Sequence, residues 1–456
     1  MSKVSKITIF HLLLLTFFCI TINSNAQSGK VKSGPWAGNV ESRNATIWVE
    51  VTASVKSVEI KYNAVSAPAQ LKSVKYSGAL GGEFNPIKIE LNGLKVNTRY
   101  KYTVLIDNKP FNTEYPTEFT TKDLWQWRKP APDFTFLTGS CAYFNEPEFD
   151  RPGRAYGSDS SIFETMAKQK AAFNLWLGDN WYYREVDYYT IWGLKYRPSR
   201  DRSLPILQKF FGSTSHYAIW DDHDYGPNDQ GKSFILKDSA RKIFMSYWCN
   251  PSYGEDGKGI YTKFSYSDVD YFLTDDRYFR SEDKISDTIN GSVNKLKTFL
   301  GPQQMEWLKN SLVYSNATFK IVAVGSQVLN PLWGEESFKN YSAEYNELLD
   351  FIALQNIKGV LFFTGDIHHS EIMKKERPGK YPLYDITASS FTAGIKKAEG
   401  DEITNPSRVP GTLVQVHNFA KVTVTGAKNN RKLSVEFIDK EGNKQAEWTV
   451  NENELK

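Results

Sequence analysis

The stretch LFFTGDIHH, residues 361–369, is the most informative about the fold. A short apolar run ends in a glycine, an aspartate and, two residues later, a histidine. Four apolar or β-branched residues bounded by glycine are typical of a strand that is buried on both faces. Glycine permits the sharp turn that follows such a strand. The stretch therefore predicts a buried strand whose carboxyl end carries polar, ionisable side chains.

The same pattern recurs four more times between residues 133 and 280. The endings of the other apolar runs are TGSC (138–141), GDNWYY (178–183), DDHD (221–224) and TDDR (274–277). After one strand, an aspartate is unremarkable because it often begins a turn or caps a helix. Five such endings exceed what capping explains, and open α/β sheets place their sites at the carboxyl ends of strands. We therefore expect these side chains to converge.

From residue 133 to the C-terminus the sequence predicts an α/β domain. Apolar strands alternate with stretches in which apolar residues recur every three or four positions. The predicted strands are Phe134–Leu137, Phe173–Leu177, Tyr217–Trp220, Tyr271–Thr274, Lys320–Val324 and Val360–Thr364. The predicted helices are Ser161–Lys170, Gly301–Tyr314 and Tyr341–Gln355. Two more strands, expected to close a sheet edge, are Lys421–Val424 and Leu433–Ile438.

Residues 27–124 follow another pattern, which predicts a separate β-sandwich. Short segments such as Ala45–Val51 and Tyr100–Val104 alternate apolar and polar residues, with turn residues between them. This spacing is typical of antiparallel sandwiches. The turn and tyrosines of Leu91–Tyr102 resemble a segment of fibronectin type III domains. A polar, tryptophan-rich connector, Lys122–Pro132, separates the sandwich from the α/β domain.

The first 26 residues predict an export signal. Lys3 and Lys6 precede a short apolar run, Ile7–Ile20, and small and polar residues follow as far as Ala26. The run is too short to cross a bilayer, so a cleaved signal peptide is expected rather than a spanning helix. No later stretch approaches about 18 consecutive apolar residues. We therefore expect a secreted or periplasmic protein with no transmembrane segment in the mature chain.

The net charge bears on nucleic acid binding, and the cysteine content bears on disulfide formation. The 456 residues carry a formal net charge of +4, and signal removal takes away two lysines and no acidic residue. The net charge of the mature chain is therefore close to zero, and it does not indicate nucleic acid binding. Cys141 and Cys249 are the cysteines of the mature chain. A disulfide between them is possible in an oxidising compartment, and the sequence leaves this open.

Histidine positions favour a metal site. Of six histidines, His223, His368 and His369 lie beside carboxylates at predicted strand ends. Imidazole, carboxylate and thiolate ligands suit transition metals, whereas oxygen-rich sites suit Ca²⁺, Mg²⁺ or Mn²⁺. Two ions about 3.5–4 Å apart offset the charge of a phosphate and make a bound water nucleophilic. Asp179 is the candidate for a carboxylate that bridges such a pair.

Together these motifs resemble the calcineurin-like metallophosphoesterases, specifically the alkaline phosphatase D family. Gly178-Asp179-X-X-Tyr182 is similar to the motif of purple acid phosphatases, in which the tyrosine binds ferric iron. Similar to alkaline phosphatase D motifs are WDDHD (220–224), DDR (275–277), GDIH (365–368) and GSC (139–141). The resemblance spans roughly residues 31–425. It implies a four-layer α/β/β/α metallophosphoesterase catalytic domain over residues 133–456, preceded by the fibronectin III-like sandwich.

The resemblance also implies ligands for two ions. The first ion is expected to be Fe³⁺, which anionic thiolate and phenolate ligands favour; its ligands would be Cys141, Asp179, Tyr182 and His368. The second is expected to be Ca²⁺; its ligands would be Asp179, Asp222 and Asp366, with Asn228 as an added oxygen donor. Tyr183 competes with Tyr182, but the motif spacing favours Tyr182. Zn²⁺ or Mn²⁺ at the same site is the alternative.

Two further residues are predicted to act on the substrate. His223 occupies the position at which relatives use a histidine to contact the phosphate and assist the leaving group. The planar fork of Arg277 suits phosphate oxygens, with pairing to Asp275 or Asp276 as an equal alternative. Where many relatives place another histidine ligand, this chain has Gln327, whose amide oxygen could substitute.

The motifs predict a secreted, metal-dependent phosphatase or phosphodiesterase that acts on a small-molecule or polymeric phosphate ester. The expected reaction is attack by a metal-bound hydroxide, with His223 protonating or orienting the leaving oxygen. One alternative is a non-catalytic envelope or glycan-binding protein on the same scaffold. Another is a Zn²⁺- or Mn²⁺-dependent hydrolase of a different ester.

Overall fold

Eight strands form the N-terminal β-sandwich. The structure, a computed structural model, describes residues 29–332, 334 and 336–456, so the predicted signal peptide over residues 1–26 lies outside the described residues. The strands are β1 Val31–Val40, β2 Asn44–Val51, β3 Val58–Ala64, β4 Lys72–Lys75, β5 Asn85–Asn92, β6 Arg99–Ile106, β7 Lys109–Phe111 and β8 Glu118–Thr120. One sheet has the order β1-β2-β5 and the other β4-β3-β6-β7, with β8 also paired to β6. Alternate residues of β3 are buried, as the period-two pattern predicts.

Two six-stranded sheets form the centre of the α/β domain. The strands of the first are β9 Phe134–Gly139, β10 Phe173–Leu177, β11 Ser215–Ile219, β20 Asn418–Thr425, β21 Lys432–Asp439 and β22 Lys444–Asn451. The strands of the second are β12 Thr262–Tyr266, β13 Val269–Leu273, β16 Phe319–Ala323, β17 Val360–Thr364, β18 Glu371–Arg377 and β19 Lys380–Thr387. The orders are β11-β10-β9-β20-β21-β22 and β12-β13-β16-β17-β19-β18. A small hairpin, β14 Thr288–Ile289 and β15 Ser292–Val293, stands apart.

Seven α-helices are found in the described part of the chain. They are α1 Ile162–Ala167, α2 Ile191–Arg202, α3 Pro205–Ser213, α4 Asp222–Tyr225, α5 Lys237–Tyr247, α6 Pro302–Tyr314 and α7 Ser342–Leu354. Short 3₁₀ turns cover Phe338–Asn340, Gly400–Thr404 and Glu452–Leu455. None of the described helices has the length and apolarity needed to cross a bilayer.

The two sheets pack face to face, and helices cover their outer faces. Between the sheets, the ring of Phe136 on β9 lies 5.4 Å from Tyr271 on β13, edge to face. Outside the first sheet, Trp176 stacks on Phe211 of α3 at 5.7 Å. Outside the second, Phe272 packs with the buried residues of α6 and α7. The predicted four-layer α/β/β/α architecture is therefore confirmed.

A buried arginine joins the sandwich to the α/β domain. The Arg202 guanidinium, at the end of α2, lies 4.0 Å from the ring centre of Trp248 and 4.7 Å from that of Phe211. Further rings within 6.0 Å are Trp36, Trp48, Trp181 and Tyr247. Burial lowers the pKa of Arg202 to about 9. The negative faces of aromatic rings attract a cation, so the sandwich tryptophans and the α/β domain share one buried charge.

Candidate metal centre

Side chains from the carboxyl ends of both sheets meet in one cleft. Cys141 and Asp179 follow β9 and β10 of the first sheet, and His368 follows β17 of the second. A sulfur, a carboxylate oxygen and an imidazole nitrogen of these residues all lie within 4.8 Å of one another. Asp179, Asp222 and His223 form a second such group. The strand-end side chains therefore converge, and Asp179 belongs to both groups.

Left-handed backbone aims these side chains into the cleft. The φ angle is 61° at Cys141, 53° at Asp179, 70° at Asp366 and 59° at His368. Non-glycine residues in this region cost energy, and such residues cluster at functional sites. The strained turns are held by neighbours across the sheet, for example by the Ala142 amide donating to the Asp179 carbonyl at 2.8 Å.

Glycines at two of these turns permit close approach. A Cβ at Gly178 would lie 2.6 Å from the Cβ of Asp221, and one at Gly365 would lie 2.6 Å from Ser140 Oγ. Both distances are too short for any side chain. The Gly-Asp pairs of the sequence are thus explained by packing as well as by the turn.

The first group has the donors predicted for iron. The Tyr182 hydroxyl donates to Asp179 Oδ2 at 2.8 Å and lies 3.2 Å from His368 Nε2. The Cys141 thiol accepts a hydrogen bond from Ser389 Oγ at 3.1 Å. Tyr183 points elsewhere, since its hydroxyl donates to the Leu194 carbonyl at 3.1 Å. The geometry therefore places Tyr182, not Tyr183, beside the other predicted ligands.

The second group extends beyond the predicted residues. Asp222 Oδ2 accepts the Asp229 amide at 2.8 Å, while Asp222 Oδ1 is buried without a hydrogen-bond partner. Carboxylate oxygens of Asp222, Asp229 and Glu336 lie within 4.8 Å of one another. Asn228 is exposed beside Asp229. Sequence reasoning missed Asp229, although it directly follows a predicted ligand, and missed Glu336, which no motif marks.

Crowded acidic groups make the cleft suited to a cation. Burial, then Asp222, Asp224 and Asp366, raise the pKa of Asp179 well above its usual range. Burial also raises the pKa of the Cys141 thiol, and the Asp179 carboxylate adds to the rise. A bound metal reverses this effect, because its charge favours the deprotonated form of every ligand. The thiol, phenol, carboxylate and imidazole donors fit the predicted metals.

His368 is suited to bind a metal as a neutral ring. Burial, then the neighbouring His223, lower the pKa of His368 to about 4. The ring is therefore neutral near pH 7 and keeps one nitrogen lone pair for a metal.

His223 lies at the edge of the cleft. Its ring stacks on Tyr182 with the centroids 4.1 Å apart, and its Nε2 is 3.8 Å from Asp222 Oδ2. Its side chain is 24% exposed, so it is accessible to a substrate. Asp221 and Asp224 form a capping box around α4, which agrees with a structural role for both.

Arg277 lies against the candidate ligand Asp222, with its Nη2 4.0 Å from Asp222 Oδ1. Its side chain is fully buried, with Nε 2.5 Å from Asp221 Oδ1 and Nη1 2.6 Å from Glu336 Oε1. Its backbone amide, not its side chain, donates to Asp275. The predicted pairing with Asp275 or Asp276 is therefore corrected to Asp221 and Glu336. With every guanidinium edge buried, the geometry favours positioning these carboxylates over clamping a phosphate.

Gln327 has no ligand role in this arrangement. Its amide nitrogen donates to Glu371 Oε1 at 2.8 Å and to Thr387 Oγ1 at 3.0 Å, while its oxygen accepts from Asn330 at 3.1 Å. Its donors and acceptor are thus used in a buried polar network.

The two cysteines do not form a disulfide. Both thiols are free and buried. Cys249 packs so tightly on the sandwich that a Cβ at Gly38 would lie 2.3 Å from its own Cβ. The disulfide that the sequence allowed is therefore ruled out in this structure, and Cys141 is available as a ligand.

Family models match two regions of the chain. A sequence profile described as PhoD-like phosphatase matches residues 136–452. A domain of unknown function, DUF7800, matches residues 28–124.

Individual relatives agree with the family match. Alkaline phosphatase D of Bacillus subtilis (strain 168) is 23% identical over 394 residues, covering 74% of this chain and 64% of the relative's length. The solved structure of PhoD has a TM-score of 0.72 at 18% identity, covering 93% of this chain and 91% of its own. The purple acid phosphatase PPD1 from yellow lupin seeds has a TM-score of 0.64 at 10% identity, covering 91% and 74%. Both structures have the fold of this chain.

Proposed function

This chain belongs to the PhoD-like phosphatase family, and from that premise we propose that it is an exported, metal-dependent phosphatase and phosphodiesterase. The observation that carries the proposal is the convergence of Cys141, Asp179 and His368 from three strand ends. We propose residues 1–26 as the signal peptide, 27–124 as the sandwich and 133–456 as the catalytic domain.

The ligand sets follow from the donors in the cleft. We assign Fe³⁺ to Cys141, Asp179, Tyr182 and His368, and Ca²⁺ to Asp179, Asp222, Asp366 and Asn228. Asp229 and Glu336 lie close enough to Asp222 to contribute oxygens to the same side. When bound, the ions would offset the charge of the phosphate and lower the pKa of a coordinated water.

The protein's own groups then orient the ester and its protons. Arg277 pairs with Asp221 and Glu336, which holds both carboxylates in place beside Asp222. His223, stacked on Tyr182, is placed to hold or deliver a proton at the leaving oxygen.

The test is hydrolysis of mono- and bis-p-nitrophenyl phosphate by the purified protein, with and without chelator. We expect turnover of both esters and loss of both on chelation. A protein that binds metal and hydrolyses neither ester would overturn the proposal and favour a non-catalytic envelope or glycan-binding role.

Tyr182→Phe is expected to abolish a visible phenolate-to-iron absorption band, because its hydroxyl lies between Asp179 and His368. Tyr183→Phe is the matched control, since that hydroxyl bonds a backbone carbonyl outside the cleft. Absorption spectra and metal analysis of the wild type and both variants make the measurement. Stoichiometric zinc or manganese without iron in the wild type would contradict the iron assignment and favour the alternative metals.

His223→Gln is expected to lower kcat about 10²–10⁴-fold for alkyl phosphodiesters, because their leaving oxygen needs a proton. The loss should be much smaller for p-nitrophenyl esters, whose phenolate leaves without protonation. Steady-state kinetics on both substrate types provide the comparison, with the half-buried His417, which belongs to none of the candidate ligand groups, replaced by glutamine as the control. An equal loss on both substrates would argue against proton donation by His223.

A further inference from the structure

Tyr156 contacts the predicted ligand His368 from a loop that carries no recognised motif. The Tyr156 hydroxyl lies 3.1 Å from His368 Nδ1, and the Tyr182 hydroxyl lies 3.2 Å from His368 Nε2. The two ring nitrogens therefore face two different phenols. We propose that Tyr156 is a positioning residue, whose oxygen accepts the Nδ1 proton of His368 and turns Nε2 toward Cys141 and Asp179.

The chemistry of a histidine ligand explains why such a partner matters. A ring nitrogen binds a metal through its lone pair, so the proton must stay on the other nitrogen. A hydrogen-bond acceptor at that nitrogen selects this tautomer, fixes the ring and makes the ligand more basic. Nε2 is on the side of Tyr182 and Asp179, which leaves Nδ1 to carry the proton toward Tyr156.

Tyr156 is held in place although its side chain is 46% exposed. The side chain of Asn145 clamps the next residue, accepting the Gly157 amide at 2.9 Å and donating to the Gly157 carbonyl at 2.8 Å. The Ser158 amide then donates to the Thr392 carbonyl at 2.8 Å. The loop is thus anchored directly after Tyr156, at Gly157 and Ser158, and this anchoring limits the movement of the tyrosine.

The ring of Tyr156 is also packed against its surroundings. It meets Tyr143 edge to face at 4.9 Å, and Tyr143 meets Tyr182 in the same way at 5.1 Å. A Cβ at Gly394 would lie 2.9 Å from Tyr156 Cε2, so the ring rests on the Gly394 backbone. Tyr143 therefore links the two tyrosines that reach His368.

Tyr143 supplies a matched control. Its hydroxyl donates to Asp150 Oδ1 at 2.7 Å and makes no hydrogen bond to His368 among the described contacts. Tyr143→Phe and Tyr156→Phe each remove one phenolic oxygen, and the two rings are in direct contact. A difference between them therefore reports on the hydroxyl at Nδ1 rather than on loss of a tyrosine near the site.

The first experiment measures metal retention by the full chain, because the inference rests on the proposed metal site. Holoprotein is equilibrated with graded chelator, and the protein-bound metal is quantified. Tyr156→Phe is expected to weaken metal affinity about 10–100-fold, the usual effect of losing a partner of a metal-bound histidine. Tyr143→Phe should stay within about threefold of the wild type, as it keeps that partner. Equal affinity of Tyr156→Phe and the wild type would overturn the inference.

A double-mutant cycle with His368→Ala separates positioning from general packing. If Tyr156 acts through His368, Tyr156→Phe should weaken metal binding in the wild type and have no further effect in His368→Ala. The same loss in both backgrounds would overturn the inference. Ester hydrolysis is measured separately, so metal binding that follows the cycle without any hydrolysis would refute the proposed function and leave the role of Tyr156 intact.

Discussion

Replacing Asp179 with asparagine is expected to lower kcat/KM for phosphodiester hydrolysis by about 1000-fold or more. Metal ions contribute several kcal/mol to such reactions, and each 1.36 kcal/mol corresponds to about tenfold in rate. Asparagine keeps the size of the side chain but removes the charge that both proposed ions share. We therefore expect the loss of activity to be accompanied by loss of bound metal.

The contacts of Asp179 explain why its effect should exceed that of other ligands. It is 1% exposed and belongs to both groups of candidate ligands. Oδ2 accepts the Tyr182 hydroxyl at 2.8 Å, and Oδ1 accepts the His223 amide at 3.3 Å. One carboxylate therefore organises the proposed iron ligand on one side and the proposed proton donor on the other.

Kinetics on bis-p-nitrophenyl phosphate and metal analysis of the same preparation provide the measurement. Asp350→Asn, at an exposed position on α7, makes the same chemical change away from the cleft and should leave both values unchanged. A fully metallated Asp179→Asn variant with activity within tenfold of the wild type would refute the bridging role.

Trp48→Ala is expected to lower the free energy of unfolding by about 3–5 kcal/mol, the usual cost of truncating a buried aromatic residue. Trp48 is completely buried where the sandwich meets the α/β domain. Its ring stacks on Trp36 at 4.2 Å, and its indole nitrogen donates to the Ser246 carbonyl at 2.8 Å. Truncation also leaves Arg202 with one fewer aromatic face.

Denaturant unfolding followed by circular dichroism measures this effect. Trp127→Ala is the control, because Trp127 lies in the connector with its side chain fully exposed. An exposed substitution should change the free energy of unfolding by no more than about 0.5 kcal/mol. Equal stabilities of the two variants would mean that the sandwich contributes little to the stability of the α/β domain.

Strands in the middle of a sheet were easier to predict from the sequence than strands at its edges. The predicted ranges of β10 and β17 match the structure residue for residue, because both strands are buried on both faces and form continuous apolar runs. The edge strands β12, β18 and β22 were not predicted, and neither was β19, which lies next to β18. In β22 buried and exposed residues are mixed, as EWTV shows, so no apolar run marks the strand. β12, β18 and β22 each pair with a strand adjacent in sequence, so the sequence lacked a continuous apolar run and not a nearby partner.

The same division applies to the site. Side chains that follow buried strands, such as Cys141, Asp179 and His368, were predictable because apolar runs mark the strands and α/β sheets place sites at the carboxyl ends of strands. Glu336 and Tyr156 were not, since they reach the cleft from loops whose course depends on distant contacts. The burial of Arg277 was not predicted either, because the sequence does not show which carboxylates will pair with its guanidinium.

By itself, then, the sequence determined the buried strands and the ionisable residues at their ends, because local apolar runs and turn chemistry encode both. The tertiary structure decided how these residues are arranged and which further residues, such as Glu336 and Tyr156, join them. That decision rests on two sheets packed face to face and on left-handed turns that aim Cys141, Asp179 and His368 inward. Further residues of the site come from loops, and no local sequence pattern predicts where these loops lie.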